Sequence, residues 1–200
     1  MYTIDGSIST VGVFSGIDWP MMIAVASAAT MTLGNILAIK QSDVKRLLAY
    51  SSIAHVGFML MAFTITTPDA VRSIMLYLFI YLFMNLAAFY MAIFASNKFD
   101  AHHLEDWQGI GKKNPVLAAF MTLTLVSLAG LPPTSGFIGK FYIFAELFKN
   151  QQFYWLAIIA IMNTVIALYY YFNIVKNMYL TDIEGKYEYV DPNPVIKWSI

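Results

Sequence analysis

Apolar residues dominate five stretches of the chain, 19–39, 47–66, 73–95, 115–148 and 153–179, and the segments between them are short and polar. Each run is near or above the roughly 20 residues that a helix needs to cross a bilayer. The pattern predicts an all-α fold: a polytopic transmembrane helix bundle of five spans with those bounds. Trp19 stands where an interfacial aromatic belongs, and Pro20 at a helix start. The first run carries Ala, Ser, Thr and Gly34, small residues that let membrane helices approach closely. The second holds Ser51, Ser52, His55 and Gly57. Pro68 marks a turn before the third, which holds Asn85. Residues 96–114 form a charged loop with His102, His103 and Trp107 and room for a short surface helix. Tyr169, Tyr170 and Tyr171 fall where an aromatic belt is expected near the end of the fifth run. Residues 1–18 read as an outside loop or surface segment. Residues 180–200 read as a tail in which Val195, Ile196, Trp198 and Ile200 open a further apolar run, as expected of a fragment.

The fourth run is longer than one straight span requires, and Gly130, Leu131, Pro132 and Pro133 interrupt it. Tandem prolines remove two backbone donors and clash with the preceding turn, so no regular helix runs through them. Two half-helices around a break at 130–133 are expected. In a bilayer, broken backbone is tolerated only where protein or a water-filled cavity covers it. Seven residues past the second proline stands Lys140, with apolar residues on both sides. An ionisable group at membrane depth marks a functional site by default, and a broken helix is a feature of transporters.

Composition agrees with the pattern. Of 200 residues, 59% are hydrophobic and 12% charged, against about 25% charged in soluble domains. The net charge of zero speaks against a nucleic-acid partner, and the lipid bilayer is the expected surrounding. There is no cysteine, which excludes disulfides, thiolate-held iron–sulfur clusters and cysteine zinc sites. The cations are asymmetric. Lys40, Lys45, Arg46, Lys98, Lys112, Lys113, Lys176, Lys186 and Lys197 fall on one side, and Arg72 and Lys149 on the other. The positive-inside rule then places the N-terminus outside.

Lys140 and His55 each lie about eight residues from a predicted span end, roughly 12 Å deep in a core about 30 Å thick. A lysine snorkels over only a few ångströms, so one this deep faces water, a partner or the protein interior. A buried amine gives up its proton more readily than an exposed one, and a histidine titrates near neutrality. Lysine and histidine at similar depth are the parts of a proton relay. The plainer readings are a structural ion pair for Lys140, its carboxylate supplied by another helix or chain, and a satisfied core histidine for His55. Ser51, Ser52, Thr124, Ser127 and Ser135 are candidates for a water or proton path. With Thr122 and Thr134, they are equally explained as helix-packing and backbone-satisfying groups. Asn85 and Asn163 read as interhelical bonding groups, and His102–His103 as loop surface rather than a metal site.

The stretches GNILAIKQSDVKRLLAYSSIAHVGFMLMAF (34–63) and LAGLPPTSGFIGKFYIF (128–144) resemble the antiporter-like membrane subunits of respiratory complex I. They are most similar to the N subunit of bacterial NADH:quinone oxidoreductase, called NADH dehydrogenase subunit 2 in mitochondria. The resemblance implies two inverted five-helix repeats with a broken fourth member, of which this chain matches the second. It places Lys140 on the proton route to the outside and His55 on the polar axis, with a catalytic part in proton transfer. The related M subunit usually has an acid at the Lys140 position. The resemblance implies a bacterial inner (cell) membrane location and other membrane-arm subunits of complex I as partners. The missing N-terminal repeat of the same protein is a further expected partner. No cofactor or metal is expected in this chain; NADH, FMN, iron–sulfur clusters and quinone are used elsewhere in the complex. A multisubunit cation/proton antiporter subunit shares the fold and the lysine, and a non-conducting membrane scaffold is the reading from a different class.

Overall fold

The computed structural model describes residues 18–65, 67–149 and 151–180. Among them the chain forms α1 (Trp19–Ile39), α2 (Val44–Ala62), α3 (Pro68–Phe99), α4 (Ile110–Lys113), α5 (Pro115–Ala129), α6 (Ser135–Phe148) and α7 (Tyr154–Leu180). Short 3-10 turns occupy Leu104–Trp107 and Gln151–Phe153. No strand occurs among the described residues; one isolated bridge pairs Asp43 with His103. The expected outer segment 1–18 and tail 180–200 lie outside the described residues, apart from Asp18 and Leu180.

Local chemistry sets the helix starts. Asp18, Asp43, Thr67 and Asn114 each accept a bond from the backbone N–H three residues on. Such caps satisfy donors that a first helical turn leaves unpaired. Pro68 and Pro115 follow two of these caps directly, in the first helical position, where a missing N–H costs nothing. Two expected helix starts move as a result. α2 begins at Val44 rather than 47, because Asp43 caps a first turn that contains Lys45 and Arg46. α3 begins at Pro68 rather than 73 and runs to Phe99 rather than 95, where Asp100 turns left-handed at φ 54°. Replacing Asn114 by alanine is expected to cost about 1 kcal/mol of stability. A lowered thermal midpoint in detergent, with no shift for Thr30→Ala on the exposed face of α1, checks this.

α1 and α2 pack backbone to backbone. A Cβ on Gly34 would lie 2.6 Å from the Ala54 nitrogen, and one on Gly57 2.6 Å from the Met31 nitrogen. The Ser27 hydroxyl donates to the Gly57 carbonyl across this contact at 2.8 Å. Two apolar clusters fill the interior. One gathers Leu47, Leu48, Met121, Leu125, Leu128, Tyr171 and Trp107; the other Met31, Met61, Tyr77, Ile143, Leu147 and Leu156. Outward faces are also apolar: Met75, Phe79, Phe83 and Leu86 on α3, and Ile158, Met162 and Val165 on α7 are exposed. Buried polar side chains beneath an apolar exterior suit a molecule surrounded by lipid. α1, α3 and α7 are long and apolar enough to cross a membrane, and α5 is a shorter apolar helix.

Between α5 and α6 the helix is interrupted where Gly130 and the prolines predict. Gly130 closes α5 at φ 81°, and its N–H reaches the carbonyls of Val126 and Ser127, while Leu131 N–H also reaches Val126. This is the Schellman arrangement, which favours glycine at its left-handed position. The Pro132–Pro133 peptide is cis. α6 then starts directly against the end of α5: the Gly136 N–H donates to the Ser127 hydroxyl at 3.2 Å.

Candidate functional site

A helix leaves its last four carbonyls without intrahelical partners. In α5 these belong to Val126, Ser127, Leu128 and Ala129. The Schellman turn takes the first two. Lys140 takes the others, its Nζ donating to the Leu128 and Ala129 carbonyls at 3.1 Å each. Lys140 is 4% exposed, and its Nζ also sits 4.9 Å from the centre of the Phe58 ring. The negative end of the α5 dipole and the ring face both favour a cation there. Among the described residues no carboxylate lies within ion-pair distance of Lys140. An ammonium has three N–H donors and a neutral amine two. Both carbonyl bonds therefore survive loss of the proton, so the site holds the lysine in either charge state.

His55 is 3% exposed and one helical turn before Phe58, on the same face of α2. Its Nδ1 lies 2.6 Å from the Tyr77 hydroxyl and its Nε2 3.2 Å from that of Tyr171. Tyr77 belongs to one apolar cluster and Tyr171 to the other, so the imidazole joins the two. The Tyr81 ring centre is 5.0 Å from that of His55; its hydroxyl is buried without a hydrogen bond of its own, with Ser52 beside it. The ring of Tyr77 lies on Gly139, where a Cβ would come within 2.5 Å of its Cδ2. Gly139 precedes Lys140, and the charges of Lys140 and His55 are close enough to interact.

The remaining candidates divide. Ser127 and Ser135 face each other across the break at 3.4 Å. Gly130 touches the Lys140 side chain, while Pro132 and Pro133 are exposed. Ser51 and Ser52 both donate to the Leu48 carbonyl, Ser51 beside Tyr171 and Ser52 also 3.3 Å from Asn85 Oδ1. Thr124 bonds the Phe120 carbonyl of its own helix and does not join the cluster. Asn163 links α7 to Asn35 and Thr32 of α1. Of the three tyrosines expected in a belt, only Tyr169 is exposed, at 65%; Tyr170 and Tyr171 turn inward. A groove of about 320 Å³ at the ends of α3 and α6 is lined by Asp69, Arg72, Ser73, Leu76, Tyr142 and Glu146. Lys140 and His55 do not line it.

Sequence reasoning missed Tyr77, Tyr81, Tyr171 and Phe58 around the two ionisable groups, and Asn35. One signal was available. Ala70, Tyr77, Tyr81, Met84, Ala88, Ala92 and Ala95 recur at helical spacing as a stripe on α3, and two hydroxyls on a stripe of mostly small residues are out of keeping with a lipid-facing surface.

The buried lysine on the end carbonyls of α5, the buried histidine and the long apolar helices around them make up an apolar helical bundle of membrane-spanning character. Residues 6–167 match the family described as NADH:quinone oxidoreductase/Mrp antiporter, transmembrane, and the chain belongs to that family. It is 46% identical over 168 residues to NADH-quinone oxidoreductase subunit N 2 of Chloroherpeton thalassium, covering 84% of this chain and 33% of that protein. It is 38% identical over 189 residues to NAD(P)H-quinone oxidoreductase subunit 2 of a Prochlorococcus marinus strain, covering 94% and 37%. The chain thus spans about a third of the length of the relatives it matches. Among solved structures, respiratory complex I from Thermus thermophilus with bound aureothin matches at TM-score 0.69 and 30% identity, over 88% of this chain and 39% of the other. The Mrp complex from a Dietzia species shares the fold, at TM-score 0.77 and 23% identity over 83% and 31%.

Proposed function

We propose that this chain is part of a proton-translocating membrane-arm subunit of a bacterial NADH:quinone oxidoreductase. Its helices form five spans, the fourth broken at Gly130–Pro133 into α5 and α6, as one of two inverted repeats. The N-terminus lies outside the cell membrane, on the side poor in lysine and arginine. Lys140 exchanges a proton with His55 and releases it outward. The redox work belongs to other subunits, which carry NADH, FMN, iron–sulfur clusters and quinone. The partners are neighbouring membrane-arm subunits and the other repeat of the same protein.

One observation carries this reading: Lys140 is buried on two carbonyls to which an ammonium and a neutral amine can both donate. A lysine with a purely structural role gains from a fixed charge partner, whereas a carrier needs a seat that tolerates both states. A cation/proton antiporter subunit remains the second reading, because the family description spans both complexes. Identity to oxidoreductase subunits reaches 46%, against 23% to the Mrp structure, which favours the first.

The test uses the full-length subunit in its complex, reconstituted in vesicles, with NADH-driven quinone reduction and proton uptake followed together. Lys140→Ala is expected to lower coupled pumping by roughly a hundredfold, the lower range for a positioned proton-transfer group. Lys140→Arg does not restore it, because arginine stays charged. Normal pumping by both variants would return the site to a structural role around a broken helix.

A further inference from the structure

α2 buries one face against the bundle and leaves the opposite face open. Arg46, Tyr50 and Ile53 recur along that open face at helical spacing, with Ala49 beside them. Together with Gln41, from the turn after α1, they line a groove of about 340 Å³. That is the size of a small-ligand site. Lys140 and His55 do not line it.

The polar groups of the groove gather at one end. Arg46 belongs to the first turn of α2, and Lys40 stands exposed at the end of α1. Neither cation has a carboxylate partner among the described residues. Asp43 spends its Oδ1 on the Arg46 backbone N–H at 2.8 Å rather than on the guanidinium. The Gln41 amide gives one N–H to the Leu37 carbonyl at 3.1 Å and keeps a second. Tyr50 comes one turn deeper, about 6 Å along the helix axis. Its ring packs against the core, and its hydroxyl has no hydrogen bond among the described residues. Beyond it the groove is apolar. Ala49 and Ile53 form the floor, and Ile53 and Val56 on α2 and Leu33 and Leu37 on α1 are exposed.

A guanidinium at the helix end, a phenol below it and an apolar trough below that repeat the order of groups in a phospholipid. Guanidinium forks onto phosphate oxygens. A phenol O–H donates to an ester carbonyl, and an apolar trough meets an acyl chain. Two cations without paired carboxylates repel an ammonium headgroup and favour one of net negative charge. A packed protein helix imposes no such polar-to-apolar order along its axis.

We propose that the groove between α1 and α2 binds an acidic phospholipid, with its phosphodiester on Arg46 and Gln41, an ester carbonyl on Tyr50 and one acyl chain along Ala49 and Ile53. The inference goes beyond the proposed function and needs only that these helices lie in a bilayer.

The experiment uses the full-length subunit in its complex, held in nanodiscs. The probes are phosphatidylglycerol and phosphatidylcholine, each with a photoreactive diazirine in the first third of one acyl chain. After illumination, the labelled residues are mapped by mass spectrometry. Phosphatidylglycerol is expected to label residues 46–56, and phosphatidylcholine to do so several-fold less. Arg46→Gln is expected to lower the label about tenfold, the lower end for a lost charge-assisted hydrogen bond, with normal yield of assembled complex. Ala49→Phe fills the floor and leaves every cation in place. It is expected to lower the label to a similar extent, which general attraction of acidic lipid to a basic surface does not do. Equal labelling by the two probes overturns the site. So does an unchanged label in either variant. Absence of label from residues 46–56 in the wild type also overturns it, and shows that protein covers the groove in the assembled complex.

Discussion

Gly136→Ala is expected to be the most damaging small substitution in this chain, costing about 3 kcal/mol. The added Cβ would lie 1.8 Å from the Ser127 carbonyl oxygen and 2.8 Å from its carbon. Those are backbone atoms in the last turn of α5, held by the Gly130 N–H, so they cannot swing aside as a side chain would. Relief requires α6 to move away from α5. That breaks the bond from Gly136 N–H to the Ser127 hydroxyl and pulls Lys140 off the Leu128 and Ala129 carbonyls. Overpacking usually costs 1–3 kcal/mol, and about the upper end applies when backbone must shift. Gly109→Ala is the comparison: nothing lies within 4 Å of its Cβ, and only the left-handed φ of 70° is strained, worth roughly 1–2 kcal/mol. A thermal or SDS unfolding series in detergent that ranks the two in the opposite order would show that α6 is free to slide.

Asn35→Leu is expected to be the next largest loss, about 2 kcal/mol. Its amide makes three buried bonds, two to Asn163 and one from Tyr170. Interhelical bonds in membranes average about 0.6 kcal/mol each. Truncating one partner also strands polar groups in the interior, which costs more than the bond itself contributed. The double variant Asn35→Leu, Asn163→Leu removes both amides and is expected to recover part of the loss. A double-mutant cycle on unfolding measures that coupling. Simple additivity of the two single losses would mean that the two side chains do not share their bonds.

The sequence made some of this legible and hid the rest for definite reasons. α1 is bounded as expected because Trp19–Pro20 starts it and Lys40 follows the last apolar residue. The interruption before α6 was visible because tandem prolines have few other uses inside an apolar run. The starts of α2 and α3 were placed too late for one shared reason: charged residues and a proline were counted as connection, although capped first turns accommodate both. Lys140 and His55 stood out by burial cost alone. What surrounds them did not, because the partners of His55 lie 22 and 116 residues away. No local periodicity joins such positions. Tyr169, Tyr170 and Tyr171 show the same limit, since adjacent residues on a helix diverge by about 100° and composition does not say which points inward.

α3 carries a consequence of its own length. Its 32 residues extend about 48 Å at 1.5 Å per residue, against a hydrocarbon slab of about 30 Å. Hiding the whole rod in lipid would demand a lean of about 50°, steeper than the roughly 40° limit of natural spans. Part of the rod must therefore stand beyond the hydrocarbon as a post. The end near Phe99 is equipped for it: Ser96 accepts from Lys45 at 2.9 Å and meets His102, while the neighbouring backbone of His102 and Leu104 ties to Val44 and Ser42. The post and its ties make a polar collar that joins the end of α3 to the start of α2. That collar fixes the height of α2, and with it the depth at which His55 is held.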